Sequence, residues 1–155
     1  MVKKVFLDLE ETIINSWNDK LFLHHVDKIR KWLDKNEIKE IHIWSFAIWD
    51  ESDKQHFVTS RLMEDIETAL GRPIISYYSV EEMQTKVEYY EGMIYDCRTE
   101  FMQINGKRWS FIKYCLGSHK DCECILIDDA VPNQTLIDHD KNLTIQLINV
   151  LSTRI

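Results

Sequence analysis

Apolar residues along this chain fall into short β-prone runs separated by stretches with a helical period. Val5–Leu7 is such a run and stops at Asp8. Thr12–Ile14, a polar Asn18-Asp19 turn and Leu21–Leu23 read as a β-hairpin. Val26, Ile29, Arg30 and Leu33 recur at helical spacing, with Asp27 and Lys28 on the other face, which predicts a helix to about Asn36. A second strand runs from Ile38 to Trp44 and ends at Ser45. Asp50 through Leu70 contains a helix with Leu62, Met63, Ile66 and Leu70 apolar and Gly71 as its C-cap.

Further on, Ile74–Tyr78 reads as a strand. Val80 to about Tyr89 reads as a helix entered through Ser79, with Glu82 three residues later as a capping box. Met93–Ile104 is expected to hold one or two strands, and Asn105-Gly106 a turn. Lys107–Leu116 is a helix with Trp109, Ile112 and Leu116 apolar and Gly117 as cap. Glu123–Ile127 is a strand ending at Asp128-Asp129, and Leu143–Val150 a last strand or strand-helix junction. Strands alternating with helices predict an α/β domain with a mainly parallel sheet.

Composition leaves this picture intact. The chain has 155 residues, 45% hydrophobic and 29% charged, which suits one domain, 1–155. Four Gly and two Pro exclude a collagen-like or Pro/Gly-rich disordered chain. No apolar run is long enough to span a membrane. MVKKVFLDLEE reaches acidic residues too soon for the core of a signal peptide, so the expected location is cytoplasmic. Nineteen Lys+Arg against 26 Asp+Glu give a net charge of −7, which argues against a general nucleic-acid binder but not against cleavage of one phosphate. Cys97, Cys115, Cys122 and Cys124 are expected as free thiols. His119, Cys122 and Cys124 form an H-x2-C-x-C cluster, but it lacks a second ligand pair at finger-like spacing.

Candidate chemistry sits where strands end. Asp8, Ser45 and Asp128-Asp129 each follow an apolar run, and open parallel sheets bind ligands outside the carboxyl ends of their strands. A single Asp after a strand is commonly turn chemistry or a helix N-cap, so the argument rests on the combination.

That combination resembles the haloacid dehalogenase (HAD) superfamily. VFLDLEETII matches its first motif, with Asp8 as first acid and Thr12 in the Thr position. IHIWS matches the second with Ser45, and ILIDD the fourth with Asp128-Asp129. The third, a lysine ahead of or within the preceding helix, is met by Lys107 or by Lys113, with Lys107 preferred. The resemblance spans roughly residues 4 to 135. It implies a Rossmannoid three-layer sandwich with a central, mainly parallel sheet and a β-hairpin flap after the first strand. It also implies a capless, Mg²⁺-dependent phosphatase. Only 32 residues separate Thr12 from Ser45 and 61 separate Ser45 from Lys107, too few for a large cap domain.

Within that resemblance Asp8 is the nucleophile, forming an aspartyl phosphate. Glu10 is the acid and base, and Ser45, with Thr12 and Lys113, binds the substrate phosphoryl group. The lysine offsets transition-state charge. Asp8, the Glu10 carbonyl and Asp128, with Asp129 beside it, form a hard oxygen set suited to Mg²⁺. The expected partner is a phosphorylated substrate, a phosphoprotein or, less comfortably for an acidic chain, a nucleic-acid end; no membrane partner is expected.

The chain departs from the pattern at Glu10, where family phosphatases carry Asp, and at Glu11, commonly Gly. A longer acid displaces the catalytic carboxyl, and a ~1 Å displacement costs about a hundredfold in rate. A non-catalytic interaction module on the same scaffold is therefore the alternative. A flavodoxin-like or receiver-like domain ranks last, because its acidic pair should come early. His24-His25 and the aromatic group Trp44, Phe46 and Trp49 flank these positions; His42 is read as a packed strand residue.

Overall fold

The computed structural model describes residues 1–17 and 20–155, so the expected Asn18-Asp19 turn lies outside the described residues. Among the described residues the chain forms β1 (Val2–Leu7), α1 (Val26–Lys35), β2 (Ile41–Trp44), α2 (Glu51–Val58) and α3 (Arg61–Leu70). These are followed by β3 (Ile74–Tyr78), α4 (Val80–Glu91), α5 (Arg98–Ser118), β4 (Cys122–Asp128), β5 (Gln134–Asp138) and β6 (Leu143–Asn149). The strands make one sheet in the order β3-β2-β1-β4-β6-β5. All neighbours run parallel except β5 against β6. From β1 the chain steps outward to β2 and β3, then crosses back to β4. The order therefore reverses between β1 and β4, the switch point where open α/β sheets form their crevice. In the flavodoxin-like order the first strand lies between the second and third, which is not the case here.

Strand alternation divides the core in two. Val5 and Leu7 of β1, Ile41 and Ile43 of β2 and Ile125 and Ile127 of β4 face one side. There they meet Ile29 and Leu33 of α1 and Met63, Ile66 and Leu70 of α3. Phe6, Trp44, Cys124 and Leu126 face the other side, against Val80, Met83 and Val87 of α4 and Phe101, Phe111 and Cys115 of α5. Helices on both faces of a mainly parallel sheet make a three-layer, Rossmann-like sandwich. Each fully buried Leu, Ile or Phe adds about 1.5–3 kcal/mol.

Several boundaries differ from expectation. The Asp50–Leu70 stretch is two helices, because Ser60 is extended and its hydroxyl accepts the Met63 N–H, starting α3 afresh. The apolar spacing belongs to α3 alone; α2 has no fully buried residue and meets the core only through part-buried Phe57. Gly71 is the left-handed cap of α3, and Ser79 with Glu82 forms the capping box of α4. Met93–Ile104 holds no strand. Cys97 caps a helix that starts at Arg98, and Phe101 packs against Tyr95 with ring centroids 5.3 Å apart. Gly117 lies inside α5, whose C-cap is His119. A Cβ at Gly117 would stand 2.8 Å from Tyr90 Cβ, so here the glycine serves close helix packing rather than a turn. β2 begins at Ile41 rather than Ile38, and β5 carried no strand signal that stood out from its polar surroundings. The hairpin after β1 is a loop whose arms touch through one antiparallel bridge, Ile14 to Leu23, with Asn15 N–H bonded to the Phe22 carbonyl.

Candidate functional site

Asp8 and Asp128 are the residues that follow β1 and end β4, adjacent strands in register, so both carboxylates emerge at the switch point. Asp8 is 2% exposed and Asp128 0%. Asp8 N–H donates to the Ile127 carbonyl at 3.1 Å, tying the two strand ends together. Thr12 links both sides: its hydroxyl donates to Asp8 Oδ2 at 3.2 Å and accepts the Asp129 N–H at 3.1 Å. Asp128 Oδ1 accepts the Ala130 N–H at 2.7 Å. Asn149, ending β6, donates to the carbonyls of Asp129 and Val131 and so fixes the acidic loop.

Lys107 reaches into this group from α5. Its Nζ lies 2.9 Å from Asp8 Oδ2, 3.5 Å from Asp128 Oδ1 and 3.6 Å from Asp129 Oδ1. Local backbone aims it there. α5 is broken at Gly106, with φ 60° and ψ −169°, a conformation open essentially to glycine alone. The helix restarts at Lys107 from that break. Buried Asn105 secures the preceding turn by donating to the Phe101 carbonyl and accepting from Lys113. Lys113 is therefore committed elsewhere: its Nζ lies 2.7 Å from Asn105 Oδ1 and 3.0 Å from Glu91 Oε2, and it does not contact Asp8.

One ammonium faces three carboxylates, an excess of two negative charges. Burial pushes Asp8 up to about 6 even though Lys107 opposes it, and burial plus the Asp8 charge push Asp128 to about 7. The same carboxylates raise the Lys107 ammonium above its ordinary range, so it stays protonated. The carboxyl shift runs upward because one lysine is shared among three acids in a dry setting. Asp128 Oδ2 is buried without a hydrogen-bond partner, and the acid oxygens of Asp8, Asp128 and Asp129 lie within 4.8 Å of one another. A hard divalent cation fits that donor set, since it would partner the orphaned oxygen and balance the charge.

A cleft of about 260 Å³ opens over these groups, lined by Asp8, Glu10, Trp17, Ser45, Phe46, Ala47 and Lys107. Ser45 follows β2, beside β1, and its hydroxyl accepts the Ala47 N–H at 3.1 Å. Glu10 lines the cleft but its Oε2 accepts the Trp17 N–H at 2.8 Å. Glu11 is exposed, with φ 59°, and lines a separate hollow with Asn15, Lys20, Leu21 and Phe22. Its charge does not face the cleft. The αL backbone at a glutamate costs roughly 1–2 kcal/mol.

The flanking candidates separate. Trp44 is core, edge-on to Phe6 and Phe111, whereas Phe46 lines the cleft and Trp49 lies under the Arg98 guanidinium. His42 stacks on Phe6 and contacts Ser76 Oγ, away from the acids. His25 precedes α1, and burial lowers its basicity, with the His24 ring tilted against it at a centroid distance of 3.7 Å. Trp17 and Ala47 escaped the sequence reading: one acts through a backbone N–H and the other has no functional group to notice. Comparison with protein-family models, with curated proteins and with solved structures gives no match for this chain.

Proposed function

We propose that this chain is a HAD-like, Mg²⁺-dependent phosphomonoester hydrolase that works through an aspartyl phosphate on Asp8. The observation that carries the reading is Lys107 within 3.6 Å of Asp8, Asp128 and Asp129 beneath a cleft that Ser45 and Glu10 also line. Burying two carboxylates, with a third beside them, around one lysine is costly unless they serve a ligand.

In the proposed reaction an Asp8 oxygen attacks phosphorus as the bond to the leaving oxygen breaks, and Glu10 gives that oxygen its proton. Water then attacks the acyl phosphate with its proton passing to Glu10, which frees phosphate and restores Asp8. Ser45 donates to a phosphoryl oxygen, and Lys107 balances the charge that grows on the phosphoryl group. Thr12 holds Asp8 in place. Mg²⁺ held by Asp8, Asp128 and Asp129, with the Glu10 carbonyl, would neutralise phosphoryl oxygens that the acids otherwise repel. The open cleft suits a phosphate carried on a larger molecule, and a net charge of −7 favours a phosphoprotein over a nucleic-acid end.

Hydrolysis of p-nitrophenyl phosphate tests this. Turnover should require Mg²⁺, cease with EDTA and fall by about 10³-fold or more in Asp8→Asn. Turnover by the parent no faster than by Asp8→Asn would overturn the proposal. One observation favours a non-catalytic module instead: Glu10 is held by the Trp17 N–H. Glu10→Asp decides its weight. A faster variant means that the longer acid was restrained, and an unchanged rate means that Glu10 already reaches the leaving oxygen.

A further inference from the structure

A second cluster of ligand-type side chains lies at the opposite, amino edge of the sheet, where β4 begins. Cys122 and Cys124 are two residues apart on β4 and project to the same face, with sulfurs 3.8 Å apart. Four tetrahedral zinc–sulfur bonds of about 2.3 Å set neighbouring sulfurs about 3.8 Å apart. Packed thiols alone can reach that separation, so the neighbours decide the matter. His119, three residues before Cys122, brings a ring nitrogen to within 4.8 Å of both sulfurs. Cys115, one turn earlier on α5 and fully buried, packs in the same apolar cluster as Cys122 and Cys124. His119 Nε2 is itself buried without a partner. The sequence spacing offers His119, Cys122 and Cys124, whose ligand atoms the fold gathers, and packing α5 on β4 sets Cys115 beside them.

We infer that this edge binds a thiophilic divalent ion, zinc, through His119, Cys122 and Cys124, with Cys115 drawn in from α5 as the fourth donor. Thiolate and imidazole donors at tetrahedral count select zinc over the hard cations suited to carboxylates. Charge closes as well. Zinc with three thiolates carries −1, and Lys4, paired in register with Cys124 on the adjacent strand β1, carries +1. Lys4 Nζ lies 3.3 Å from His119 Nδ1. With the ion on Nε2 the ring proton sits on Nδ1, and Lys4 turns from that nitrogen to the thiolates. Binding sends three thiol protons to solvent and changes no oxidation state, so affinity rises with pH.

Cobalt(II) titration of the full, reduced, metal-free chain reads this out, because tetrahedral thiolate-bound cobalt has intense visible bands and sulfur-to-cobalt charge transfer in the near ultraviolet. The bands should saturate at one equivalent, bleach on adding one equivalent of Zn²⁺ and persist in Asp8→Asn and Asp128→Asn. Those acids lie about 20 Å away along β4. Cys122→Ser and Cys124→Ser should lose the bands, and His119→Ala should shift them and weaken zinc at least tenfold. Because a serine at buried Cys124 can impair folding, the parent gives an independent reading: stoichiometric Zn²⁺ should raise its Tm. A parent with no tetrahedral bands at one equivalent, or with no Tm response to Zn²⁺, overturns the inference. So do bands that survive in a folded Cys122→Ser variant.

Discussion

The two edges of the sheet collect opposite chemistry along the same strands. At the carboxyl edge Asp8 and Asp128 bring hard oxygens, and Lys107 arrives from a broken helix. At the amino edge Cys122, Cys124 and His119 bring soft donors, and Lys4 arrives from the neighbouring strand. Each edge holds one lysine against several acidic or potentially anionic groups. They differ in how the groups respond to burial. Carboxyls there hold protons more tightly, with Asp8 at about 6 and Asp128 at about 7, whereas His42 and His119 lose theirs more readily, both at about 4. Burial thus keeps the imidazoles of the amino edge neutral, and leaves the carboxyl edge under charge repulsion that a ligand can relieve.

Lys107→Met should break the comparison most severely. It leaves three crowded carboxylates without their cation, at a cost of about 3 kcal/mol at neutral pH. That is the lower end for a broken buried pair, because the Lys107 side chain is one-quarter exposed. Urea melts should show the loss shrinking toward pH 5 as Asp8 and Asp128 protonate; an equal loss at both pH values would mean that packing, not charge, was removed. Gly106→Ala comes next. Its Cβ meets nothing within 4 Å, so only the backbone is strained, by about 1–3 kcal/mol. On the proposed function, the same change should lower Mg²⁺-dependent turnover by displacing Lys107, and a destabilised variant with full turnover would separate the glycine from the lysine's aim.

The pH dependence of stability sharpens the contrast. Without divalent cations, Asp8 and Asp128 hold protons to about 6 and about 7 when folded, against 3.8 for the free side chains. The folded state then binds more protons than the unfolded chain from about pH 4 to 7, so their contribution to stability falls as pH rises through that window. His42 and His119, lowered from 6.5 to about 4, do the reverse: their contribution is present above pH 6.5 and is lost as pH falls toward 4. Asp8→Asn/Asp128→Asn should remove the first slope, so that melts between pH 5 and 7 show stability rising with pH more steeply than in the parent. An identical pH profile in the double variant would sink the assignment. The smallest effect is expected at Cys97, the exposed thiol. It should react with a thiol reagent in the folded chain while Cys115, Cys122 and Cys124 react only on unfolding. Cys97→Ser should move stability by less than about 0.5 kcal/mol.

Much of the fold was legible because its signals are local. The period of α1, the capping box at Ser79 and Glu82, and the apolar runs ending at Asp8, Ser45 and Asp128 depend on residues a few positions apart. The Met93–Ile104 stretch reads as strand from its sequence because apolar residues alone do not separate a strand from a helix that buries Phe101 against Tyr95. β5 gives no strand signal of its own because an antiparallel edge strand takes its pairing from β6 rather than from its own composition.

By itself, then, the sequence determined which residues end strands, where helices start and that the chain alternates β with α. Only the tertiary structure decided that β1 lies beside β4, that Lys107 rather than Lys113 reaches Asp8, that Glu10 is held by Trp17 and that Cys115 packs beside Cys122 and Cys124. Hydrophobic period and capping act over one or two turns of chain. Strand order, and with it every contact between residues some hundred positions apart, is fixed by how the two faces of the sheet are covered, and one sequence position carries no record of that.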